Sequence, residues 1–151
     1  MKRYLGIDFG AARVGIARSD LLGYTAQGTE TITWNGHNLE PVLDRIVELC
    51  KEYSVDEFVI GLPLRTDNKA GEAEQKVREF AATLHERIDL PQHFYDERLT
   101  SKMATRYLQA GGSKKSSYRS KIDQVAAEII LQSFLDRERF QKERDAREDN
   151  V

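Results

Sequence analysis

The chain lacks most of what would cross-link it or place it in a membrane. One cysteine, Cys50, stands among 151 residues. A lone thiol forms no internal disulfide, which suits a reducing cytosol. Its helical spacing among apolar neighbours marks it as a small core residue. No apolar run approaches the roughly 18 residues of a membrane-spanning helix. Met1-Lys2-Arg3 leads into a short mixed segment, not the apolar stretch of a signal peptide, so the expected location is the cytoplasm with no membrane partner. Neither sign of charge dominates, with 23 Lys and Arg against 25 Asp and Glu. No overall basic field draws the protein to a polyanion, and any such binding must come from local clusters. His37, His85 and His93 lack close ligand spacing, which argues against zinc. No glycine-flanked nucleophilic serine is present. Asp8-Phe9-Gly10 spells the magnesium triplet of protein kinases, but the other kinase motifs are missing.

What is present is a soluble, globular composition, 40% hydrophobic and 32% charged. The length fits one domain, expected over residues 1–137, followed by a charged tail over 138–151. Tyr4 to Phe9 reads as a strand, Gly10 to Arg13 as a turn, and Val14 to Ala17 begins a second strand. Thr29, Thr31 and Thr33 alternate in a third strand over about Gln27 to Trp34. Two tight connections in a row imply antiparallel neighbours.

Asn38 is placed to cap a helix whose inward residues are Leu39, Val42, Leu43, Ile46, Leu49, Cys50 and Tyr53. Glu57 to Gly61 reads as a buried strand, and Arg65 to Gly71 as a polar loop. A second helix turns Ala73, Val77, Phe80, Ala81, Leu84 and Ile88 inward, and Gln92 to Asp96 forms another strand. A helix is expected over Thr100 to Gln109, a polar, basic loop over Ser113 to Ser120, and a last helix from about Ser120 to beyond Leu135. Its expected inward face is Ile122, Val125, Ala126, Ile129, Ile130 and Phe134. The tail from Glu138 carries five acidic and four basic residues, as a solvated helix end or a disordered segment.

This order predicts an α/β fold: a mixed five-stranded sheet, three antiparallel strands and then two parallel ones joined by right-handed helical crossovers, with flanking helices. Ligands of open α/β sheets gather at the carboxyl ends of parallel strands. Asp8, the Leu62 to Lys69 loop and Asp96-Glu97-Arg98 all fall at that edge.

A carboxylate near an apolar strand end is costly unless it is paired, hydrogen-bonded or metal-bound. Asp8 either bonds the amides of the Gly10 turn or holds a ligand. Glu97 either pairs with Arg98 or caps a helix, or it joins Asp8. Asp123, in the expected first turn of the last helix, either complements the helix dipole or points at the sheet. Converging on one edge, the three share a chemical reading: hard oxygen ligands for Mg²⁺ or Mn²⁺ in phosphodiester hydrolysis. Arg98, Lys102 and Arg106 fall at i, i+4 and i+8. Lys114, Lys115, Arg119 and Lys121 cluster with serines, and Arg13, Arg65 and Lys69 lie in turns near the edge. These are candidate phosphate contacts, or a solvated charged surface.

IDFGAARVGIA, VIGLPLRTDNKAGEAEQKV, YDERLTS and KIDQVAAEIILQSFL occur in the order seen in the YqgF family, also called RuvX, which the chain resembles from about Tyr4 to Leu135. The resemblance implies a ribonuclease H-like fold and a cytoplasmic, metal-dependent nuclease associated with maturation of the 5′ end of pre-16S ribosomal RNA. It also implies that Asp8, Glu97 and Asp123 are the acidic, catalytic and metal-binding site. Resolution of four-way DNA junctions is the alternative activity attached to the family, and a non-catalytic RNA-binding module is an alternative of another class. A junction resolvase must make paired cuts and act as a two-fold dimer, so monomer and homodimer both stay open.

Overall fold

A computed structural model of the chain describes residues 2–64, 71–97 and 115–149. The helix expected over Thr100 to Gln109 and most of the Arg65 to Gly71 loop lie outside these residues. The strands are β1 (Tyr4–Phe9), β2 (Arg13–Ser19), β3 (Ala26–Thr33), β4 (Glu57–Leu62) and β5 (Gln92–Asp96). The described helices are α1 (Glu40–Tyr53), α2 (Glu72–Arg87) and α3 (Lys115–Asp149). The sheet order is β3-β2-β1-β4-β5. β1 pairs antiparallel with β2 and parallel with β4, and β4 pairs parallel with β5. The carboxyl ends of β1, β4 and β5 therefore share one edge, with β4 between the strands that lead to Asp8 and Glu97.

Strand alternation sorts the side chains onto two faces. Leu5 and Ile7 of β1 and Phe58 and Ile60 of β4 join a core with Val42, Leu43, Ile46 and Leu49 of α1 and Val77, Phe80 and Leu84 of α2. On the other face Ala17 and Val59 meet Ala127, Ile130, Leu131, Phe134 and Leu135 of α3. Burying one such Leu, Ile or Phe side chain contributes about 1.5–3 kcal/mol. α1 starts one residue past the expected cap: Leu39 is the boundary, and Asn38 still serves by accepting the Glu40 N–H at 3.1 Å. α1 ends where Ser54 turns left-handed at φ 52°.

Three expectations change. Ala73 is exposed, because the first turn of α2 overhangs the sheet edge and lines a cleft there. α3 begins at Lys115, so the residues read as a loop before Ser120 are helical from 115 onward. The helix also runs through Asp149. Its buried stripe is Ala126, Ala127, Ile130, Leu131, Phe134 and Leu135, while Val125 and Ile129 are only half-buried. The Ile122 side chain lies outside the described residues. The stripe is set by where the backbones come closest, since a Cβ added at Gly6 would lie 2.9 Å from Leu131 Cβ.

The tightest approach is at Gly15, where an added Cβ would lie 2.0 Å from the Asp123 carbonyl oxygen. Gly15→Ala therefore has to push the α3 backbone off the sheet. The expected cost is that of an overpacked core, about 1–3 kcal/mol, read as a lower denaturation midpoint. A midpoint equal to wild type would show that α3 is not held at this distance.

Candidate active site

On β1, Gly6 and Asp8 point to the side opposite Leu5 and Ile7, toward α3. On β4, Val59 and Gly61 share that side. Glu97 follows β5 directly, and its N–H donates to the Leu62 carbonyl at 3.2 Å, which extends the β4–β5 pairing by one step and fixes where Glu97 begins. Its carboxylate lies over Gly61, where an added Cβ would meet Oε2 at 2.4 Å. The missing side chain at Gly61 is the space through which Glu97 reaches across β4 to hydrogen-bond Asp8.

Burial pushes the Glu97 carboxyl up to about 8, and the neighbouring Asp8 charge and the hydrogen bond with Asp8 push it the same way. Asp8 is also raised, first by burial and then by the charge of Asp123, against the hydrogen bond from Glu97. Both shifts favour a proton held by the pair near neutral pH, with Glu97 as the donor to Asp8, and the two carboxyls titrate as a unit.

Asp123 lies well inside α3, so the helix-dipole account of this residue, which needs the first turn, does not apply. Its Oδ2 accepts a hydrogen bond from Arg13 Nε at 2.7 Å, an ion pair across 110 residues of chain. Asp8, Glu97 and Asp123 thus reach one edge from β1, β5 and α3. Two share a proton and the third faces a guanidinium. Among the described residues no three carboxylate, histidine or cysteine groups form a ready-made metal cage.

Of the predicted basic residues, Arg13 is described, and it sits on Asp123. Arg65, Arg98, Lys102, Arg106 and Lys114 lie outside the described residues. Lys115, Arg119 and Lys121 fall on the first turns of α3, with side chains outside the described set. Reading the sequence missed three features: the seat at Gly61, the Arg13–Asp123 pair, and an aromatic cleft beside Glu97 that includes Trp34. The paired glycine and carboxylate sit 36 positions apart, so only the β4–β5 register reveals them.

A buried carboxylate on β4, the strand that carries Gly61, shows the contrast. Glu57, 6% exposed, opens β4 at the opposite edge. His93 Nε2 lies 3.0 Å from one oxygen, and Lys2 Nζ lies 3.1 Å from the other as an ion pair without hydrogen-bond alignment. Burial opposes its charge, but His93 and Lys2 outweigh burial and hold the carboxyl below its usual range. Glu57 is met within the fold by the Lys2 ammonium and the His93 ring. Among the described residues, no cation is paired with Asp8 or Glu97, and the two bond each other.

A five-stranded mixed sheet in this order, with acidic residues at the carboxyl edge and a helix across its back, is a ribonuclease H-like fold. Solved structures share it. RuvC of Thermus thermophilus, in complex with Holliday junction substrate, is 14% identical with a TM-score of 0.56, covering 91% of this chain and 96% of that one. The fowlpox virus resolvase, complexed with Holliday junction DNA, is 10% identical with a TM-score of 0.54, covering 89% and 97%. The RuvX family model, described as Holliday junction resolvase, matches residues 2–137, and the chain belongs to that family. A relative from Acetivibrio thermocellus named "Putative pre-16S rRNA nuclease" is 46% identical over 89% of this chain and 95% of its own. One of the same name from Moorella thermoacetica is 44% identical over 89% and 95%.

The shared proton has a sign that stability reports. With the carboxyl pKa raised on folding, the native state holds a proton that the unfolded chain releases above its ordinary value of 4.5. The contribution is full below that value and is lost as pH rises through about 8. Metal-free wild type is expected to lose melting temperature between these limits more steeply than Glu97→Gln, whose amide donates to Asp8 without titrating. Parallel curves for the two proteins would remove the shared proton.

Proposed function

We propose that this chain is a metal-dependent endonuclease that trims the 5′ end of pre-16S ribosomal RNA in the cytoplasm. The observation that carries this reading is the Asp8–Glu97 pair over Gly61: two carboxylates brought together with no cation paired to either among the described residues. Family membership and the relatives' names support the substrate.

The pair fits a divalent cation, Mg²⁺ or Mn²⁺, because two crowded oxygen-donor groups retain a proton where a cation can take its place. Asp8 and Glu97 would hold it, with Asp123 as a third ligand once Arg13 releases it. Such a cation supplies Lewis-acid stabilisation of a phosphodiester undergoing attack by water. Loading requires the pair to give up its proton, which ties activity to rising pH through the Glu97 range. Arg13, 43% exposed, stands ready to exchange Asp123 for a phosphate oxygen of the strand. The basic residues of turns and helix starts supply further phosphate contacts, so RNA affinity should fall steeply with salt.

The test offers a 5′-extended pre-16S fragment and a synthetic four-way DNA junction side by side with Mg²⁺ or Mn²⁺. Wild type is expected to cut the RNA, and Asp8→Asn to spare it while melting no lower than wild type without metal. Symmetric cuts in the junction alone would replace this reading with a resolvase acting as a two-fold dimer. Binding of RNA without cutting would leave an RNA-binding module.

A further inference from the structure

Beside the acidic pair, a cleft of about 650 Å³ opens between the β3–α1 connection and the first turns of α2. Its size is that of a small-ligand site, which typically spans roughly 300–1,000 Å³. Resting on the nuclease reading, we propose that this cleft takes one unstacked nucleobase of the RNA strand whose phosphate lies at Asp8 and Glu97.

The floor is aromatic and already ordered. The Phe9 ring stacks on buried Phe80 at 4.3 Å and 14°, and Trp34 leans on Phe9 at 5.6 Å and 40°. The Trp34 indole N–H donates to the Gly10 carbonyl at 2.9 Å, which fixes the ring and leaves no polar atom of it unmet. The loop that carries it is braced by Asn35, whose Oδ1 accepts the His37 and Asn38 N–H groups at 2.8 Å each. A ring entering this cleft orders little that is not ordered already. Unpaired bases are recognised in this way, by stacking on aromatic side chains and hydrogen bonding at their edges.

Charge selects the base over the phosphate. The described lining sets Glu72 and Glu79 against Lys76, with His37 and the proton-holding Glu97 beside them, so these walls carry no excess of Lys or Arg to hold an anion. Thr83, Glu79 and Lys76 offer both donors and acceptors to a polar edge. Position joins the cleft to the chemistry: Glu97 lines it, and Phe9 of its floor is the residue after Asp8.

Trp34 is the sole tryptophan, so its fluorescence reports on this cleft alone. Asp8→Asn, without metal, is titrated with a short end-labelled single-stranded RNA while label anisotropy follows binding. Trp34 emission should change with the same midpoint as the anisotropy. A strand of equal length with abasic nucleotides should bind without the emission change. Ala73→Phe, which puts a ring into the cleft from an exposed position, should raise the KM for RNA by roughly ten- to a hundredfold, the weight of one stacked base, and melt with wild type. RNA that binds and is cut with Trp34 emission unchanged, or with abasic strands as effective as the intact one, or with the Ala73→Phe KM at the wild-type value, overturns the base site alone. RNA that is neither bound nor cut by wild type overturns the nuclease reading, and the base site with it.

Discussion

Two carboxylates cannot share a poorly solvated site without a positive charge between them. At the carboxyl edge of this sheet a single proton meets that requirement. The pairing follows from the parallel crossover that puts β4 between β1 and β5 and from the glycine on β4 that lets Glu97 pass over it. The Leu62 carbonyl, by accepting the Glu97 N–H, holds the second carboxylate at the height of the first. The same strand begins with Glu57, where Lys2 provides a compensating charge and the His93 ring lies at hydrogen-bond distance. Among the described residues, the fold pairs a buried carboxylate with a lysine at one end of β4 and leaves Asp8 and Glu97 to each other at the other end. The difference is what supports the proposed cation site at Asp8 and Glu97.

The third carboxylate depends on how closely α3 lies on the sheet. A glycine at position 15 admits the α3 backbone at Asp123, and the small residues Ala126 and Ala127 keep the next turn close. Asp123 then reaches the edge from a helix whose beginning extends past it. Beyond the sheet the helix persists without a core, supported by side-chain pairs such as Gln132–Asp136, Arg139–Asp136 and Gln141–Asp145. Among the described side chains of α3, those buried against the sheet lie between Ala126 and Leu135, and this stretch positions Asp123, one turn before it.

Much of this was legible in the sequence. The strand order, the parallel crossovers and the α1 face follow from apolar periodicity and short connections, and the structure keeps them. The start of α3 was not legible, because Lys115 to Lys121 carry no apolar period until the helix meets the sheet. That error moved Asp123 into a first turn it does not occupy. The Arg13–Asp123 pair was hidden by separation: a hairpin residue and a helix residue 110 positions apart give no local sign of contact. Trp34 read as the end of a strand, and its role appears only once α2 closes the other side of the cleft.

Alternation along β1 gives the edge two different faces. Asp8 points toward α3 and the acidic pair, and Phe9, one residue later, points toward α2 and the aromatic cleft. A strand that touches both must carry its phosphate on one side of the sheet edge and its base on the other. Bases stacked inside a duplex are turned toward their partners and cannot make that turn without leaving the helix. An unpaired segment makes it at little cost. On the proposed reading, the pleat of a single β-strand favours cleavage where the nucleic acid is already single-stranded, as at a precursor end awaiting trimming.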